Sequence, residues 1–205
     1  EQAAATVENL MLWDLDPAGE RVRARLTYRP RRRISTIRLA LEPGLVPRSV
    51  QIPGLVDSSR EGTPQNPEWV ARIDPPLTER TTILLDFWRP LRGGESGSAA
   101  TRRFPKVEPL GVDRESGLLA VRRPGYWTGR LEPSADSEPV GDETFVRAWG
   151  TLPDGALTFA GTARLGAKDV VELRTGPAPT RYRRRAATRL QGDAGRVDCR
   201  FDVEL

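Results

Sequence analysis

The sequence predicts an all-β protein. It reads as an antiparallel, immunoglobulin-like β-sandwich over residues 1–105, a second β-rich and partly irregular portion over 106–190 packed on the first, and a closing strand over 191–205. Three observations carry this reading. Apolar and polar residues alternate with period two in run after run, as in strands with one face on a core and the other in water. Gly and Pro are dense, 19 and 18 of 205 residues, and they break the runs with turn-forming pairs such as Pro43-Gly44 and Pro53-Gly54. No long stretch has the apolar period of an amphipathic helix, which argues against a doubly wound α/β enzyme fold.

Taken in order, the first strand contains Trp13, and the next alternates Val22, Ala24, Leu26 and Tyr28 with Arg21, Arg23, Arg25 and Thr27. Ile37, Leu39 and Leu41 repeat the pattern, as do Trp69, Ala71 and Ile73, and then Ile83, Leu85 and Phe87 before Pro90. The second portion opens with a short apolar strand, Leu118 to Val121, after Gly117, followed by a Pro-bounded loop over 124–139 that holds Tyr126 and Trp127. Asp142 to Trp149 predicts one short helix, with Asp142 as N-cap, Phe145 and Trp149 four apart on one face, and Gly150 as the stop. Strands resume over 156–160, 169–175, 180–190 and 195–205. The stretch Ala18 to Leu26 aligns with Ala194 to Phe201 with one gap, so the last strand also reads as the start of a further tandem unit.

Composition bounds the chemistry. A chain of 205 residues can bury roughly 70% of its unfolded surface. Of 32 basic residues all but Lys106 and Lys168 are Arg, against 28 acidic residues, and histidine is absent. Without His the chain by itself builds no Ser-His-Asp or Cys-His nucleophile and no His-bearing zinc or haem site. Cys199 forms no internal disulfide; it reads as a small buried residue in the alternation Val197, Cys199, Phe201, Val203. No metal and no cofactor are expected. No apolar run reaches the roughly 18 residues of a membrane helix. Glu1 to Thr6 lacks the basic and long apolar regions of a signal peptide, which is expected of a cytoplasmic chain or of a mature or excised piece of a longer one.

Two groups of residues are candidate binding sites. Trp88 with the loop residues Tyr126 and Trp127 could form an aromatic platform for a sugar ring. Arg31, Arg32 and Arg33, and separately Arg183, Arg184 and Arg185, could hold an anionic polymer such as a polysaccharide through bidentate contacts if they converge. Nucleic acid is the less favoured partner, because the net charge is only +4 and no DNA- or RNA-binding motif is present. Edge arginines also discourage sheet-to-sheet association. Most remaining arginines, including Arg21, Arg23 and Arg25, fall on outward positions and predict a solvated sheet face. The carboxylate pairs Asp113 with Glu115 and Asp142 with Glu143 are the raw material for glycoside hydrolysis, though each also fits a turn or cap. Asp14, Asp16 and Gly19 are a fragment of a calcium loop that Leu15, Pro17 and the missing later Glu interrupt.

One resemblance adds to this. Trp13 and its strand, Arg25-Leu-Thr-Tyr28, the stretch from Ile34 to Gly44, Val50-Gln-Ile-Pro-Gly54, Trp69 and Asp86-Phe-Trp-Arg-Pro90 occur in that order. They precede the most specific segment, Pro-x-Val-x-Pro-x-Gly-Val-x-Arg-x-x-Gly-Leu-Leu-Ala-Val over residues 105–121. Over most of residues 5–190 the chain resembles a recurrent β-sandwich module of very large, mostly uncharacterised bacterial envelope proteins. The resemblance implies an extracytoplasmic, multi-domain setting without an assigned activity, and it transfers no site residue. The expected function is a non-catalytic structural or interaction module of a larger extracytoplasmic protein, anchored through other parts of that chain. Its expected partners are domains of the same chain or envelope components, a polysaccharide among them. The alternatives are a carbohydrate-binding module and, third, a carboxylate-dependent glycosidase.

Overall fold

A computed structural model describes residues 3–16, 18–90, 100–114, 117–125, 127–132, 137–153, 157–165, 172–177, 186–193 and 196–203. The first strands are β1 (Ala5–Leu15), β2 (Gly19–Pro30), β3 (Ile34–Leu41), β4 (Val46–Gln51), β5 (Leu55–Gly62), β6 (Pro67–Leu77) and β7 (Thr81–Pro90). Next come β8 (Ala100–Arg103), β9 (Val107–Pro109), β10 (Asp113–Arg114), β11 (Gly117–Pro124), β12 (Trp127–Glu132) and β13 (Glu138–Val140). Helix α1 (Asp142–Trp149) precedes β14 (Leu157–Leu165), β15 (Glu172–Pro177), β16 (Ala186–Asp193) and β17 (Arg196–Val203). The fold is all-β, as the alternating patterns predict.

The main sheet runs in the order β13-β14-β11-β1-β2-β7-β4, with β10 beside β1. A four-stranded sheet, β5-β6-β3-β9, and a three-stranded one, β12-β15-β8, complete the sandwich, and β16 pairs with β17. One continuous core joins the three larger sheets. It takes Met11 and Trp13 from β1, Val22 and Leu26 from β2, Trp69 from β6, Phe87 from β7, Leu119 from β11 and Leu173 from β15. β1 is central and covered on both faces, which is why Leu10 to Leu15 are all buried although the pleat turns alternate residues opposite ways. Its outward residue Leu12 meets Ala120 and Phe145 in a second, smaller cluster, so α1 lies against the outer face of the main sheet.

The structure differs from the sequence reading in several places. β1 pairs with β11 and β10 in parallel, within an otherwise antiparallel sheet. That pairing needs a long crossover, which the hundred residues between the two strands supply. It joins the portion after residue 105 to the first by backbone hydrogen bonds, as does β9 on β3. The segment expected to be a loop over 124–139 contains β12 and β13. The N-cap of α1 is Gly141 rather than Asp142; Asp142 sits in the first turn, its carboxylate accepting the Thr162 hydroxyl at 2.7 Å. Gly150 ends the helix with its N–H donating to Val146 O at 2.9 Å and with φ 88°, a positive value that glycine adopts for want of a Cβ. Gly117 is required where β11 approaches β1, because a Cβ there would stand 2.7 Å from the Asn9 carbonyl oxygen. Among the described residues no helix is long and apolar enough to cross a membrane.

Candidate functional site

The outer face of the main sheet is where the charges gather. Alternation turns Arg21, Arg23 and Arg25 of β2, Asp86 of β7, Asp14 of β1 and Arg122 of β11 to this face, and strand order places them side by side. Arg21 grips Asp86 through Nε at 2.8 and 2.9 Å and through Nη2. Arg23 bonds to Asp14 through Nη1 and lies 3.8 Å from Asp86 through Nε. Arg122 closes the row on Asp14 with Nε to Oδ1 at 2.7 Å and Nη2 to Oδ2 at 2.9 Å. An alternating ladder of acid and base therefore crosses four strands.

This ladder corrects the expectation of a solvated face. The Arg122 side chain is only 5% exposed and that of Arg23 15%, because α1 and the chain after it cover this part of the sheet. Burial desolvates the Arg23 guanidinium and lowers its pKa, against the raising pull of Asp14. The Arg21 pKa moves up, chiefly through its hydrogen bond to Asp86. Arg25 does a different job: its Nη1 donates to Trp149 O at 2.7 Å, so a cation meets the carbonyl end of α1 and fixes it over β2. Arg122 likewise donates to Pro153 O at 3.1 Å.

Beside this ladder the covering chain leaves a groove of about 600 Å³. Its floor is Arg23, Arg25, Asp86 and Leu84; Ser49 and Gln51 of the edge strand β4 form one wall, and Trp149, Thr151 and Pro153 the other. The Trp149 ring is held by stacking on Phe145, with centroids 5.4 Å apart and planes 20° from parallel. Leu84 keeps 41% of its surface in the open.

The aromatic residues singled out from the sequence do not make a platform. Trp127 is 4% exposed and part of the main core, with the Arg102 guanidinium 5.8 Å from its ring centroid, so no sugar can stack on it. It is buried because residue 127 lies in a strand over the core, not in a loop. Trp88 is half-buried on β7, with Arg48 5.7 Å from its ring centroid and Gly19 close against its six-membered ring. Tyr126 lies outside the described residues. Of the arginine clusters, Arg31, Arg32 and Arg33 are exposed at the β2–β3 connection, and Arg31 donates to Asp113 at 2.6 Å. Arg183, Arg184 and Arg185 lie outside the described residues.

The carboxylates weighed for catalysis are otherwise engaged. Asp113 holds Arg31, Glu115 lies outside the described residues, and Asp142 accepts from Thr162. Asp14 is taken by two arginines, and Asp16 Oδ1 accepts the N–H groups of Ala18 and Gly19 at 2.7 and 3.0 Å in a turn. The calcium-loop fragment is thus spent on the β1–β2 connection, and among the described residues no three Cys, Asp or Glu cluster where they could hold a metal ion. Sequence reasoning missed Asp14, Asp86 and Arg122 as a set. The available signal was a charge set inside an apolar run: Asp14 after Leu10 to Trp13, Asp86 between Leu85 and Phe87, Arg122 after Leu118 to Val121.

No family model matches this chain, and no curated protein matches it. Among solved structures it is similar to an M1 zinc metallopeptidase from Deinococcus radiodurans, at 11% identity and a TM-score of 0.48 over 98% of this chain. A mutant form of that enzyme matches at 12% identity and 0.48, and a two-domain M1 zinc metallopeptidase mutant bound to L-tryptophan at 14% and 0.47. The chain spans about half, 47%, of the length of the chains it matches. At this level of identity the likenesses carry no activity across to it.

Proposed function

We propose that this chain is a non-catalytic interaction module of a larger extracytoplasmic protein, and that it engages its partner through the groove on the outer face of the main sheet. The observation that supports this most is Arg23 lying between Asp14 and Asp86. The ties between carboxylates and guanidiniums on this strand framework fix the groove's floor in one shape before a partner arrives. A mixed lining of aliphatic, hydroxyl, amide and charged groups in a pre-formed concavity suits recognition. The larger extracytoplasmic chain is supported by the resemblance carried by residues 105–121.

Site-specific photo-crosslinking tests the reading. A photoreactive side chain replaces Thr82 in the groove or, as control, the exposed Ser58 on β5. The expected result, in cells carrying the full gene product, is cross-linking to a partner domain or envelope component from position 82 and not from 58. Equal yields at both positions, or none at either, overturn it.

A further inference from the structure

We propose that the groove binds an acidic saccharide, a chain bearing uronic-acid carboxylates, with Arg25 receiving the carboxylate and Trp149 beside the sugar ring. The inference rests on the reading of this groove as the interaction site and names the class of ligand.

The charge balance points to an anion. In the ladder and the groove beside it, the guanidiniums of Arg21, Arg23, Arg25 and Arg122 stand against the carboxylates of Asp14 and Asp86, an excess of two positive charges. Three of the four are spent on those carboxylates. Arg25 is not: its Nη1 is held by the carbonyl of Trp149, and among the described residues its Nε and Nη2 have no partner. Arg25 is half-buried and lines the groove, so it is a positioned cation with free donors at a partly desolvated site, where a charge-assisted bond to a carboxylate is strong.

The rest of the lining favours a sugar over an acidic peptide. Ser49, Gln51, Thr82 and Thr151 bring neutral hydroxyl and amide groups around the cation, matched to ring hydroxyls that both donate and accept. Trp149, with its plane fixed by Phe145, offers an apolar surface for the C–H groups of a pyranose. A peptide would be expected to anchor a side chain in a closed apolar pocket, and the lining apolar groups, Leu84 and Pro153, form an open floor and wall.

The test is calorimetric titration of the whole chain with trigalacturonate, with neutral maltotriose and triglutamate as comparisons. Trigalacturonate is expected to bind, more weakly as salt rises, while maltotriose and triglutamate do not bind up to about 1 mM. Arg25→Gln is expected to weaken binding at least tenfold. Because that change also loosens the end of α1, Ser49→Trp serves as a second variant: Ser49 is exposed at the rim and makes no ion pair, and the larger side chain is expected to abolish binding with the fold intact. Absence of trigalacturonate binding, equal binding of triglutamate, or binding unchanged in Ser49→Trp overturns the proposal. Cross-linking from position 82 without trigalacturonate binding sinks only the ligand class; loss of both sinks the interaction site itself.

Discussion

Replacing Asp14 by Leu should be among the most damaging changes to the stability of this chain, because of what it leaves behind. Asp14 is 5% exposed and accepts two bonds from Arg122, at 2.7 and 2.9 Å, and one from Arg23. Without it the Arg122 guanidinium, on a side chain 5% exposed, keeps only the Pro153 carbonyl among the described residues. The two bonds from Arg122, at about 1.5–3 kcal/mol each for a charged group, come to about 3–6 kcal/mol, and stranding one member of a buried pair costs about 3–5 kcal/mol, so we expect a loss of about 3–5 kcal/mol. With a urea slope of about 2–3 kcal/mol per molar, the unfolding midpoint should fall by roughly 1–2.5 M. The assay is urea denaturation followed by tryptophan fluorescence, on Asp14→Leu, Arg122→Leu and the double variant. The double variant should be more stable than Asp14→Leu alone, since removing both charges also removes the desolvation cost. A loss below about 1 kcal/mol for Asp14→Leu, the value of an exposed pair, would refute the claim that the ladder is buried.

Other perturbations separate the packing from the site. Gly117→Ala should destabilise the chain by about 1–3 kcal/mol, read from the same urea curves, because its Cβ would press on the backbone oxygen of Asn9, which cannot rotate away. Phe145→Ala empties the contact between α1 and the sheet; exchange protection should be lost over Asp142 to Trp149 and retained in β1 and β2, since the helix has its own small cluster. Burial pushes the Tyr28 hydroxyl pKa up, so the folded state holds it neutral where the unfolded chain ionises. The sign follows: no effect well below pH 10, then a loss of up to about 1.4 kcal/mol per pH unit above it. Tyr28→Phe should flatten that decline in stability curves recorded from pH 9 to 11.

Where the residue pattern reports one face against another, the sequence was readable. Val22 to Tyr28 and Ile83 to Phe87 alternate because one side meets the core, and both are strands as expected. Gly150 announces the end of α1 by the same local logic. Local pattern is silent on partners far along the chain. The parallel pairing of β1 with β11, and with it the meeting of Asp14 and Arg122 across 108 positions, leaves no periodic trace; its only mark is a charge amid apolar neighbours. Trp127 illustrates the reverse error: flanking Pro and Gly suggested an exposed loop, yet pairing with β15 carries the ring into the core. The groove was illegible for the same reason, since its walls come from β4 and from the end of α1 with the chain after it, a hundred residues apart.

The most direct measurement uses the five tryptophans as built-in reporters, one each at positions 13, 69, 88, 127 and 149. In a nitrogen–proton correlation spectrum each contributes one indole signal, and trigalacturonate is added stepwise to the whole chain. Binding in the groove predicts that the Trp149 signal moves, with backbone signals of Ser49, Gln51 and Thr82, while those of Trp13, Trp69 and Trp127 hold still inside the core. Movement centred on Trp88 or on Arg31, Arg32 and Arg33, or a spectrum that does not change at all, would contradict the groove as the recognition site.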